Sequence, residues 1–143
     1  MPIQVAIAIL CQDNQFLMQL RDNIPEIIYP GHWAFFGGHL ELEEPPAAAV
    51  RRELAEEIGH VPSQLSLFKS YDDDHVIRHV FYAPLTVSID ALELNEGWDM
   101  GFFTLEDVHR GDRYSERAGK VCPLGALHQQ ILLDFWEHNR LLG

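Results

Sequence analysis

Basic residues are scarce in this chain of 143 residues: 10 Lys and Arg face 22 Asp and Glu, a formal charge of −12 at pH 7 with His neutral. A phosphate polymer binds through an excess of Lys and Arg, so a nucleic acid polymer is excluded as a partner, and an anionic membrane surface with it. Cysteine is nearly absent. Cys11 and Cys122 are too few for a disulfide framework and match no zinc spacing, which points to a reducing cytoplasm. Long apolar runs are missing too. The stretch Ile3 to Cys11 is too short to span a bilayer, no basic residue precedes it, and Gln12-Asp13-Asn14 follows, so it reads as a buried strand and not as a signal peptide. There is no repeat, linker or low-complexity tract. A 47% hydrophobic and 22% charged composition at this length suits one globular domain spanning 1–143.

Residues 3–11 and 15–21 have the pattern of a β-hairpin, and 22–33, with Pro25, Pro30 and Gly31, that of a surface loop. Ala34-Phe35-Phe36 reads as a strand running into a tight turn at Gly37-Gly38. Glu44-Pro45-Pro46 opens a helix that continues from Ala47 to Ile58 and stops at Gly59. Strands are expected at 64–71, 76–83 and 85–89, and again at Phe102-Phe103. Thr104-Leu105-Glu106-Asp107 resembles a short helix with a capping box. A last helix from about 124 to 140 carries Leu124, Leu127, Ile131, Phe135 and Leu142 at helical spacing. Strands alternating with helices indicate a layered α/β domain.

Within Arg51-Arg52-Glu53-Leu54-Ala55-Glu56-Glu57-Ile58-Gly59, Glu53, Glu56 and Glu57 share an arc about 100° wide, beside an apolar stripe of Ala47, Val50, Leu54 and Ile58. Carboxylates at i, i+3 and i+4 repel by about 0.2–0.5 kcal/mol per pair. A solvated acidic face is one outcome; the other is a hard divalent cation, which turns repulsion into affinity and bridges carboxylates to substrate phosphates.

From Gly38, five residues lead to Glu44, seven more to Arg52-Glu53-Leu54, and Glu56-Glu57, Ile58 and Gly59 follow Ala55. This closely resembles the Nudix box, Gly-x5-Glu-x7-Arg-Glu-(apolar)-x-Glu-Glu-x-Gly-(apolar), and departs from it only at His60, which replaces the last apolar residue. Trp33 to Gly38 and the segment Glu96-Gly97-Trp98-Asp99 to Val108 also resemble the family. Glu43 stands where glycine is frequent and Pro45 where a Ser or Thr cap is frequent, so the departures fall on the loop before the helix. The resemblance to the Nudix hydrolase family (MutT-like, subfamily unassigned) implies an α/β/α sandwich with a mixed parallel/antiparallel sheet. It implies Mg²⁺, with Mn²⁺ a possible substitute, on Glu53, Glu56, Glu57 and the Gly37 carbonyl. Glu96, or failing it Asp99, would add a carboxylate. Arg52, with Glu44, Gly38 and Gly59, would orient the loop and the helix, and Arg52 joins the four glutamates as the implied catalytic set.

Outside the box, His39, Tyr29 and Phe35 are candidates to touch substrate, with core packing the competing fate of Phe35 or Phe36. Arg110, Arg113, Arg117 and Lys120 form the one locally basic stretch; Arg113 and Arg117 could hold phosphates or merely balance nearby acids. Asp72-Asp73-Asp74 reads as a solvated turn rather than a metal site. His75 and His79, four apart on a strand with no His-Glu-x-x-His motif, do not indicate zinc.

The resemblance implies hydrolysis of a phosphoanhydride in a nucleoside diphosphate linked to another group: a nucleoside triphosphate, dinucleoside polyphosphate or nucleotide sugar. The alternatives are a non-catalytic nucleotide-sensing module, against which the full glutamate set argues, and isoprenoid isomerisation, which goes with an altered box. The ADP-ribose subgroup tends to carry a proline about fifteen residues past the box, where this chain has the His75 region, and the GDP-mannose subgroup tends to lack part of the glutamate set. A homodimer is left open.

Overall fold

The strand Ile3–Gln12 (β1) owes its unbroken apolar run to its place between two neighbours, since a strand flanked on both sides and covered on both faces has no polar side to show. Residues Ala6 to Leu10 are all buried. The computed structural model describes residues 2–27 and 29–142, the side chains of 140–142 excepted, so Leu142 of the last helical stripe lies outside the described side chains. The chain divides into two units, one of residues up to 12 with 35–96, the other of 13–34 with those from 97 on.

In the first unit β1 runs parallel to Val76–Pro84 (β6), from Ile3 opposite Val76 to Cys11 opposite Pro84. It runs antiparallel to Phe36–His39 (β4), from Val5 opposite His39 to Ala8 opposite Phe36. Ser66–Asp72 (β5) pairs antiparallel with β6, with a bulge between Leu67 and Lys69. The sheet is therefore mixed, and the helix Pro46–Ile58 (α1) packs on β4 and β1. The fold class is α/β with a mixed sheet, as the resemblance implied.

Two expectations need correction here. Gly37-Gly38 is not a tight turn but part of β4. The glycines answer to close approach: a Cβ on Gly37, whose φ is +139°, would lie 2.2 Å from the Ala6 carbonyl oxygen. Residues 85–89 do not form a strand. The Leu85 amide still donates to the Cys11 carbonyl of β1 at 2.7 Å, but the carbonyls of Leu85 and Val87 are taken by the Gln12 side-chain amide, each at 2.8 Å, so the ladder ends here and a short 3-10 turn, Ile89–Ala91, follows.

Helix α1 starts after Pro45 and ends at Gly59, whose φ of +67° supplies the left-handed cap. Val50, Leu54 and Ile58 are buried as the stripe required; Ala49 joins them, whereas Ala47 is exposed and Glu57 is buried. In the preceding loop Glu43 holds a φ of +63°, the conformation that favours the glycine frequent there in the family. Glu43→Gly is expected to be more stable than Glu43→Ala by about 1 kcal/mol in urea unfolding, the reverse of the order at an ordinary loop position.

In the second unit Gln15–Leu20 (β2) pairs antiparallel with Trp33–Ala34 (β3) and with Asp99–Phe103 (β7). Asp13 and Asn14, just before β2, have φ of 53° and 61°, as a two-residue type I′ turn demands. Leu105–Arg110 (α2) begins with the expected capping box between Thr104 and Asp107. Asp112–Ser115 (β8) and Lys120–Pro123 (β9) form a hairpin where a merely basic stretch was expected. Ala126–Leu142 (α3) buries Ile131, Leu132 and Phe135, the last edge-on to Phe16 at 6.3 Å. No helix among the described residues is long and apolar enough to cross a membrane, which says nothing about strands.

Candidate active site

Arg52 stands at the centre of the first unit's polar cluster. Its guanidinium forks onto Glu44, Nε to Oε2 at 2.9 Å and Nη2 to Oε1 at 3.0 Å. Nη1 donates to Glu53 Oε1 at 2.9 Å, and Nη2 to the His39 carbonyl at 3.1 Å. Glu41 lies 2.9 Å from Nε and Glu56 3.5 Å from Nη1. The fork and the Glu41 amide hold the Glu44 carboxyl below the usual carboxylate range. The planar fork makes all these bonds at once, which an ammonium cannot do. Arg52→Lys should therefore cost about 1–3 kcal/mol in urea unfolding despite the kept charge; an unchanged midpoint would show that the fork is dispensable.

Helix α1 presents its three glutamates in three environments. Glu57 is buried, and its Oε1 accepts the Gly37 backbone N–H at 2.8 Å, which ties the helix to β4. Glu53 is partly buried over Gly38, where a Cβ would lie 2.6 Å from the Glu53 carboxyl carbon, so only glycine leaves room for this carboxylate. Glu56 is exposed. Burial pushes the Glu53 carboxyl above its ordinary range; Arg52 opposes this, while repulsion from Glu56 and Glu96 adds to it. Glu96 thus belongs to the same electrostatic cluster. It arrives there on a segment fastened to the C-terminal end of α1: the Glu93 amide donates to the Ile58 carbonyl at 3.0 Å, and the Asn95 amide to the Glu57 carbonyl at 2.9 Å.

Among the described residues no three His, Cys, Asp or Glu side chains converge closely enough to form a ready-made metal site. The donor set nevertheless fits a hard cation. It is all oxygen, and it carries a surplus of negative charge, shared over Glu44, Glu53 and Glu56, that Arg52 alone does not balance and a cation would relieve.

The first unit thus gathers Gly37, Gly38, His39, Glu44, Arg52, Glu53, Glu56, Glu57, Gly59 and Glu96. His39 is exposed and contributes its carbonyl to Arg52, and Phe35 is buried with Phe36, which settles both into the core. Tyr29, Arg113 and Arg117 lie in the second unit. Tyr29 packs against His32 and His128. Arg113 is engaged by backbone carbonyls and an aromatic face. Its Nε and Nη1 donate to the carbonyls of Phe102 and Tyr114 at 2.7 and 2.8 Å, and it lies 5.2 Å over the Trp33 ring, in space that a Cβ on Gly101 would fill. Arg117 is exposed, 3.9 Å from Asp99. Asp99, the second choice for an added carboxylate, accepts from buried Ser115 at 2.7 Å. Asp73 accepts from the amides of His75 and Val76 and from Arg78, which pushes its carboxyl down to about 2 and makes the acidic run a turn. Asn95 and Glu41 carry no signal in the sequence, because a loop asparagine and one of the three acids Glu41, Glu43 and Glu44 fit no motif.

Compared with known families, residues 1–123 match the NUDIX domain. The chain belongs to the Nudix family. Over 78 residues it is 32% identical to an 8-oxo-dGTP diphosphatase of Escherichia coli (strain K12), a match covering 54% of this chain and 60% of that protein, so it spans less than two thirds of that relative. Over 98 residues it is 33% identical to an 8-oxo-dGTP diphosphatase of Proteus vulgaris, covering 66% of this chain and 83% of that one. Among solved structures, the MutT NUDIX hydrolase from Burkholderia pseudomallei superposes with a TM-score of 0.71 at 23% identity, covering 92% of this chain and 96% of that one. The NUDIX domain of Shewanella oneidensis NrtR, complexed with ADP ribose, superposes at 0.72 with 20% identity, covering 96% and 88%. At these identities the structural likeness speaks for the Nudix fold.

Proposed function

We propose that this protein is a Mg²⁺-dependent, MutT-like pyrophosphohydrolase, in which water attacks a phosphorus of a nucleoside diphosphate linked to a further group and a nucleoside monophosphate and a phosphorylated remainder leave. The observation that carries this reading is the gathering of Glu53, Glu56 and Glu57 on one helix, with Glu96 near Glu53, around a single guanidinium, Arg52, that is shared among Glu44, Glu53 and Glu56. Glu53, Glu56, Glu57 and Glu96, with the Gly37 carbonyl, would hold the cation. When bound, the divalent ion would lower the pKa of an attacking water and neutralise charge developing on the phosphoryl oxygens.

The protein's own groups supply the rest. Glu53, held over Gly38 by its bond to Arg52, is placed to accept the water's proton. Arg52 fixes Glu53 on one side and the Glu44 loop on the other, so the base and its loop keep one geometry. An acidic protein acts on a polyanion because cations, not Lys and Arg, would meet the phosphates. Among substrate classes an oxidised nucleoside triphosphate is favoured, since both relatives above 30% identity are 8-oxo-dGTP diphosphatases.

The full chain, assayed with Mg²⁺ or Mn²⁺ against 8-oxo-dGTP, dGTP, dinucleoside polyphosphates, nucleotide sugars and ADP-ribose with products identified by mass, is expected to turn over 8-oxo-dGTP fastest. Turnover of none would reject the enzyme in favour of a nucleotide-binding module.

A further inference from the structure

An α-helix leaves its last four carbonyls without intrahelical partners, and ordinarily water or a cap takes them. In α1 the Gly59 amide takes that of Ala55 at 3.2 Å, and the other three go to one short segment. The Glu93 amide donates to Ile58, the Asn95 amide to Glu57, and the Asn95 side-chain Nδ2 to Glu56 at 3.0 Å. Every carbonyl of the last turn is thereby accounted for, two of them by Asn95, and they belong to Glu56 and Glu57 of the carboxylate cluster. The next residue in the chain is Glu96.

We propose that Asn95 is a positioning residue: by clamping the carbonyls of Glu56 and Glu57 it docks the 93–96 segment on the end of α1 and holds the Glu96 carboxylate near Glu53. This rests on the reading of that cluster as a cation site. The clamp has a chemical reason to be an amide. The C-terminal end of a helix carries partial negative charge, and three glutamates sit on its last two turns, so a neutral donor is tolerated there while an acid is repelled. Asn95→Ala removes one hydrogen bond and keeps the backbone one. Asn95→Asp puts an acceptor against the Glu56 carbonyl and should expel the segment.

The test uses the full chain without nucleotide. Hydrogen exchange is expected to find the Glu93 and Asn95 amides protected in the wild type and unprotected in Asn95→Asp, with the Leu54 amide protected in both. Mn²⁺ binding, read by electron paramagnetic resonance, is expected to weaken about 10-fold in Asn95→Ala, at the low end of the range for residues that orient a ligand. In a Glu96→Gln background the same substitution should change Mn²⁺ affinity less than twofold, because its effect runs through Glu96. The proposal is overturned if Asn95→Ala binds Mn²⁺ like the wild type, or if the 10-fold loss persists undiminished in Glu96→Gln. A control separates the two readings. If Glu56→Gln also binds Mn²⁺ normally, the cation site itself falls; if Glu56→Gln is impaired and Asn95→Ala is not, only the positioning role falls.

Discussion

Glu56→Gln and Glu57→Gln should each lower kcat/KM by about 10²–10⁴-fold while leaving the protein folded. The two substitutions reach this result from different surroundings. Glu56 is exposed, so its amide analogue disturbs no packing. Glu57 is buried, but it meets Gly37 as a hydrogen-bond acceptor, and the glutamine carbonyl oxygen can still accept that N–H. What both lose is anionic charge. Circular dichroism and thermal unfolding should therefore stay near the wild-type values, and hydrolysis should fall with the charge. Near-normal turnover in both variants would remove the glutamate helix from the chemistry. Unfolding of Glu57→Gln would instead show that its charge is structural.

The adjacent glycines should separate stability from function. Gly37→Ala places a methyl group 2.2 Å from a backbone oxygen of β1, at a φ of +139° that L residues avoid. Neither partner can give way without opening the β1–β4 ladder, so the cost should exceed about 4 kcal/mol, in the range reserved for severe backbone conflicts. Gly38→Ala meets only the end of a flexible side chain, the Glu53 carboxylate at 2.6 Å. That carboxylate can swing aside, so the protein should fold and lose no more than about 1–2 kcal/mol, while activity falls as far as in Glu53→Gln. Urea unfolding and hydrolysis measured on the same two proteins check the contrast. A Gly38→Ala protein with full activity would mean that Glu53 need not sit where the structure puts it.

Elements whose identity is decided locally were legible from the residues. The helix over Pro46–Ile58 follows from proline in its first turn and glycine at its end, and the α2 capping box from Thr104 and Asp107 three apart. The paired acids and arginine of the site are legible for the same reason, since helical spacing alone puts Glu53, Glu56 and Glu57 on one arc. What was not legible depends on contacts distant in the chain. Gly37-Gly38 looks like a turn until β1 is laid beside it, and 85–89 looks like a strand until the Gln12 amide takes its carbonyls. Composition reads Arg113 as either a phosphate ligand or a balancing charge; its contact with the Trp33 face and the space that Gly101 leaves for it have no signal in the local sequence. Glu96 could be suspected from the family pattern, but Asn95, which fastens its segment to α1, could not, because capping from a loop more than thirty residues away leaves no spacing to read.

The central claim is that the carboxylates of α1 and Glu96 bring a divalent cation and a water molecule onto a nucleotide phosphoanhydride. It is tested most directly by incubating the full chain with 8-oxo-dGTP in ¹⁸O-labelled water, with Mg²⁺ and with the metal chelated, and weighing the products. The account predicts nucleoside monophosphate and pyrophosphate, one of them carrying a single ¹⁸O, formed only with Mg²⁺ present and not by Glu56→Gln. Nucleotide recovered intact with Mg²⁺, or hydrolysis that proceeds equally under chelation, would contradict it.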